Sequence, residues 1–152
     1  MPYRLEAIVS KAQVPEERLA QFAAATRVKL DQDVWLIPLT KALLGELDQV
    51  SGIDQHKQIA EFESITPAII WFAERLSMHG RVIYIEAEFF GGAGSQASVG
   101  WHNPELLFGP IKATGAINQA LHWLGVVRRQ RQDEFDSIGL GNHRTTEEWA
   151  VK

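Results

Sequence analysis

The chain has 152 residues, 45% hydrophobic and 22% charged, with a net charge of −4 and no cysteine. That length and balance suit one folded domain and exclude a disordered chain. Lack of cysteine excludes disulfides, cysteine nucleophiles and thiolate metal sites, and the negative charge argues against general affinity for nucleic acid or anionic membranes. The longest apolar run, Ala68 to Ala73, is far below the ~20 residues that span a bilayer. The opening MPYRLEAIVS lacks a basic leader followed by an apolar core. A soluble, cytoplasmic, non-membrane protein is expected.

Tyr3 to Val9 reads as a strand with Tyr3, Leu5, Ala7 and Val9 on one face. Pro15 is placed to open a helix, with Leu19, Phe22 and Ala23 as its buried stripe. Arg27 to Leu30 and Val34 to Leu39 form a hairpin reversing at Asp31-Gln32-Asp33. Pro38, which has no donor, ends that strand or marks an edge. Thr40 caps a helix carrying Leu43, Leu44 and Leu47, which stops near Ser51-Gly52. Ile53 to Ser64 is polar and weakly periodic, a loop with at most one helical turn. Thr66-Pro67 starts the next helix. Its stripe is Ile69, Phe72, Ala73 and Leu76, widened by Ile70 and Trp71, and Gly80 is its left-handed stop.

Arg81 to Pro110 is the centre of the chain. Val82 to Phe90 alternates, with Ile83, Ile85, Ala87 and Phe89 against Tyr84, Glu86 and Glu88, and Gln96 to His102 alternates likewise. The glycine-rich run Gly91 to Ser95 reads as the turn between them. Pairing Gly91 with Ser95 sets Phe89 opposite Ala97, Ala87 opposite Val99, Ile85 opposite Trp101, Glu88 opposite Ser98 and Tyr84 opposite His102. One face is then apolar, and the other carries Tyr84, Glu86, Glu88, Gln96, Ser98 and His102. Asn103-Pro104 turns into a short strand, Leu106 to Phe108, which Gly109-Pro110 ends. A helix from about Thr114 to Val126 buries Ile117, Ala120, Leu121 and Leu124. The run from Arg128 to Asp136 mixes charges as a self-paired, solvated face does. Thr145 and Glu148 have capping-box spacing with little chain left to form a helix, and Trp149 pins the tail. The resulting expectation is one α+β domain, residues 1–152. Its mainly antiparallel sheet, built on the central hairpin, has two main covering helices on its apolar face.

Familiar catalytic motifs fail on context. Gly92-x-Gly94-x-x-Ala97 follows a strand but leads into another strand rather than a helix. Ser98 lies mid-strand, not on a nucleophile elbow, and no glycine precedes Lys-Ser or Lys-Thr. The histidines at 56, 79, 102, 122 and 143 have no metal-ligand spacing, so neither metal nor cofactor is expected. The six polar hairpin residues remain the candidate partner-binding face. An acid–base pair of His102 with Glu86 or Glu88 is the enzymatic alternative. A homo-oligomer built through an exposed strand edge is the structural one.

Three segments, AEFFGGAGSQASVGW, GAINQALHWLGV and DEFDSIGLGNHRTTEEW, resemble a family of short uncharacterised bacterial proteins. That family combines an AE-aromatic-FGG-x-G-x-Q stretch with an INQAL helix and a GLG-x-HR…W tail. The likeness covers roughly Thr66 to Trp149. In size, acidity and single-domain build the chain also looks like the immunity proteins that accompany bacterial polymorphic toxins. This resemblance implies a non-enzymatic immunity or inhibitor protein whose partner is another protein, such as a toxin. Its acidic hairpin face would cap a basic site.

Overall fold

The computed structural model describes residues 2–11, 16–50, 53, 56, 59–90 and 93–150. In chain order the main elements are β1 (Tyr3–Ser10), α1 (Glu16–Leu19), β2 (Val28–Lys29), β3 (Trp35–Pro38), α2 (Lys41–Asp48), α3 (Pro67–Leu76) and β4 (Val82–Phe90). These are followed by β5 (Ala93–His102), β6 (Glu105–Lys112), α4 (Ala116–Leu124), α5 (Glu134–Ser137) and α6 (Thr146–Trp149). The strands form one antiparallel sheet in the order β2-β3-β1-β4-β5-β6, which makes the protein α+β as expected.

Local signals placed most elements. Thr40 and Thr66 accept the Leu43 and Ile69 N–H groups, each at 3.2 Å, and so satisfy donors that the first helical turn leaves orphaned. The four residues expected inward on α4 are all buried. β3 ends at Pro38, opposite Ala7. Gly80 closes the turn after α3 at φ 145° and ψ 179°, a glycine conformation but not the left-handed helical one. Ala23 is exposed, whereas Leu19 and Phe22 are buried. The expected roles of Pro15, the Ser51-Gly52 stop and the Gly91-Gly92 turn lie outside the described residues.

Helices cover both faces of the central strands, which corrects the expectation that both main helices share one face. α3 and α2 pack over Ile8, Val82, Tyr84, Val99 and Trp101. α4 packs on the opposite side, over Leu5, Ala7, Ile83, Ile85 and Ala87. The run Val82-Ile83-Tyr84-Ile85 is at most 1% exposed at every position, because a strand covered on both faces is apolar throughout rather than alternating.

The hairpin register is corrected too. Phe90 pairs with Ala93, and Phe89 faces Gly94 rather than Ala97, a slide of three residues along β5. Ala87 therefore faces Gln96, Ile85 faces Ser98, Tyr84 faces Val99 and Glu88 faces Ser95. An odd slide exchanges the faces of one strand relative to the other. Gly94 and Ser95 belong to the strand, not the turn. At Gly94 a Cβ would come within 2.7 Å of the Phe89 Cα, so only glycine fits that approach.

β6 runs through Gly109-Pro110 to Lys112 instead of stopping at Phe108. Gly109, at φ 72°, passes so close to Ser98 O that a Cβ there would sit 2.8 Å from it. The Arg128–Asp136 run is not self-paired throughout. Arg129 reaches Asp31 at 3.3 Å, and Asp133 caps α5 and accepts from Asn118.

Candidate functional site

The six sequence candidates do not form one face. Tyr84, Glu86 and Glu88 point to the α3 side of β4, while Gln96, Ser98 and His102 lie on the α4 side of β5. Ser98 is fully buried and donates to Ala116 O at 2.7 Å. Gln96 Oε1 accepts the Ile117 N–H at 2.8 Å, which supplies the cap that Gly115 cannot. These two polar residues dock α4 on the sheet. His102, at the end of β5, pairs in register with Glu105. It lies five positions along β5 from Ala97, the partner of Glu86, or about 16 Å away at strand spacing.

On the α3 side, Tyr84 is fully buried beneath the edge of Phe62, with ring centroids 5.2 Å apart. Its hydroxyl donates to Glu86 Oε1 at 2.9 Å. The same carboxylate accepts the N–H groups of Glu63 at 2.9 Å and Ser64 at 3.2 Å. Glu86 thus clips the 63–64 loop onto the sheet. Burial first, then the Glu86 charge and hydrogen bond, push the Tyr84 phenol well above its usual range.

Register carries this polar patch across the strands. Ser95, Glu88 and Arg4 form one cross-strand row, and Lys112, Ala97, Glu86 and Glu6 form the next. Arg4 binds Glu6 Oε1 through Nε at 3.3 Å and Nη2 at 3.1 Å. Glu6, and more weakly Glu88 and Glu86, hold the guanidinium pKa above its ordinary value. Lys112 lies 3.6 Å from Glu63. Half-buried Glu88 accepts a hydrogen bond from no described residue.

The C-terminal segment borders this patch because β3 ends early. Opposite residues 4 to 6, the edge of β1 is taken by residues 144 to 146. Arg4 N–H donates to Arg144 O at 2.8 Å, and Glu6 N–H donates to Thr146 Oγ1 at 3.0 Å. Thr145 accepts the Glu148 N–H, so the capping-box spacing does start a helix, the short α6, and Trp149 is buried as expected. Glu147 caps α2 by accepting the Lys41 N–H at 3.0 Å. Between these parts lies a cavity of about 350 Å³, with Leu39, Leu44 and Ile69 in its wall.

The Arg4/Glu6 pair had a signal in the sequence, since residues two apart on a strand share a face and these carry opposite charges. The part played by Thr146 had none. Among the described residues, no three His, Asp or Glu side chains are grouped to hold a metal, and no helix is long and apolar enough to cross a membrane. No protein-family model, curated protein or solved structure matches the chain.

Proposed function

We propose that the protein is a non-enzymatic binding module of the immunity or inhibitor type, which engages a protein partner, such as a toxin, at the polar end of the α3-side sheet face. Glu88 carries this reading. It is a half-buried carboxylate that accepts a hydrogen bond from no described residue, set on a central strand directly opposite Arg4, whose charge it draws less strongly than Glu6 does. A carboxylate so placed gains from a partner cation, and charge complementarity speeds and orients association. The resemblance to immunity proteins agrees with this reading.

Of the six candidates, Glu88 is the primary contact and Glu86 supports it. Tyr84 and Ser98 are wholly buried, and Gln96 is spent on α4. The enzymatic alternative loses its pairing, since His102 and the two glutamates lie on opposite faces. One observation favours assembly as a second reading: β6 is an eight-residue edge strand with Leu106 and Leu107 exposed.

The test is affinity capture with wild type, Glu88→Lys and the opposite-face control Gln119→Lys. One stoichiometric partner held by wild type and Gln119→Lys but lost by folded Glu88→Lys is expected. Retention by Glu88→Lys would remove the site. A mass near twice 17.0 kDa for the isolated chain would favour assembly.

A further inference from the structure

The cavity and the acidic trough beside it share a wall made of Arg4, Glu6 and Ser64. Their chemistries differ. In the cavity, Leu39 and Ile69 are almost fully buried and Leu44 is partly so. On the charged rim, Arg4 holds Glu6 and Glu147 accepts the Lys41 N–H at the N-terminus of α2, so the cations of the rim are Arg4 and the exposed Lys41. A basic ligand group there would meet the charges of Arg4 and Lys41, whereas an apolar side chain would only displace water.

The trough has the opposite need. Four carboxylates, Glu6, Glu63, Glu86 and Glu88, face two cations, Arg4 and Lys112. Glu6 pairs with Arg4, Glu63 with Lys112, and Glu86 is held by three donors, whereas Glu88 has only the charge of Arg4 opposite it and a hydrogen bond from no described residue. The guanidinium of Arg4, bound to Glu6 and opposite Glu88 in register, is the cation already drawn to this acidic wall, first by Glu6 and then by Glu88 and Glu86.

We infer that cavity and trough form one bipartite site for an extended partner segment of the pattern apolar–x–basic. The apolar side chain fills the cavity, and the Lys or Arg two residues on reaches Glu88. Spacing supports the pattern. Glu6, on the shared wall, faces Glu86, so Glu88 is its diagonal cross-strand neighbour, about 7–8 Å away. Residues i and i+2 of an extended strand are about 7 Å apart and project to the same side. This inference rests on the protein-binding reading above and specifies what the partner must present.

The probes are three capped peptides, Ac-Phe-Ser-Arg-NH2, Ac-Gly-Ser-Arg-NH2 and Ac-Phe-Ser-Glu-NH2, titrated into the ¹⁵N-labelled full chain. The first should shift the amides of Leu44 and Ile69 together with those of Glu88 and Ser95, and should bind tightest. Glu88→Gln should weaken it about fivefold, the size of one exposed charge contact. Leu44→Trp, which fills the cavity, should abolish the Leu44-side shifts while those at Glu88 persist. The wild-type shift map decides by itself should that variant not fold.

Equal binding of the acidic peptide, or shifts that bypass Leu44 and Ile69, would overturn the bipartite site. If capture depends on Glu88 while the peptides ignore the cavity, the protein-binding reading stands and this inference falls. If the peptides bind as stated but no partner depends on Glu88, the reverse holds.

Discussion

Tyr84 donates its phenolic hydrogen to Glu86 Oε1 at 2.9 Å, two residues on along the same face of β4. That bond joins the core to the surface, because the same carboxylate also holds the backbone of Glu63 and Ser64. An acidic residue that looks available for recognition is thereby made structural, and its neighbour Glu88 is the carboxylate assigned to the proposed contact.

The two tyrosines of the chain should report unfolding in alkali. Burial raises the phenol pKa of both Tyr3 and Tyr84, while the unfolded chain ionises near its ordinary value of about 10. Their contribution to stability is fully present below about pH 10 and is lost as the pH rises above it. Phenolate absorbance and loss of circular dichroism should therefore rise in one shared transition. A tyrosine that ionises near pH 10 with the fold intact would contradict the burial.

Glu86 and Glu88 should separate in stability. Glu86→Ala leaves two loop N–H groups and the Tyr84 hydroxyl without their acceptor and should cost about 2–3 kcal/mol. Glu88→Gln should stay within about 0.5 kcal/mol of wild type. Urea midpoints measured side by side decide, and equal losses would mean that the clip on the loop is not what Glu86 contributes.

Ser98→Ala and Gln96→Ala should each destabilise by about 1 kcal/mol through the docking of α4, with no change in partner capture. Loss of capture by a folded Ser98→Ala protein would return the α4 side of β5 to the binding surface.

The tail should act as a replacement strand edge. Thr146→Val removes the acceptor for the Glu6 N–H and should cost about 1–2 kcal/mol. Hydrogen exchange should quicken first at Glu6 and Arg4, whose partners lie in residues 144 to 146. Unchanged protection at both amides would show that the tail does not seal β1.

The candidate site was only partly legible. Glu86 and Glu88 were visible as neighbours on one strand face, and Arg4 with Glu6 could have been found by the same period of two. Their convergence required β1 beside β4 in one register, with Glu6 opposite Glu86. Nothing adjacent in the chain encodes that pairing. Gln96 and Ser98 looked like surface residues because they are polar. They are partly and fully buried, since the backbone of α4 supplies their hydrogen-bond partners.

The sequence by itself determined the α+β class, the caps at Thr40, Thr66 and Thr145, the inward stripe of α4 and the strand alternation. Each of these depends on groups a few residues apart, through capping bonds and the periods of helix and strand. Only the tertiary structure decided that α3 and α4 take opposite faces, that β5 slides three residues against β4 (Gly94 for Ala97 opposite Phe89), and that Glu86, but not Glu88, is held by donors among the described residues. Those outcomes depend on which distant segments cover each face and which backbone groups they bring to a buried polar atom.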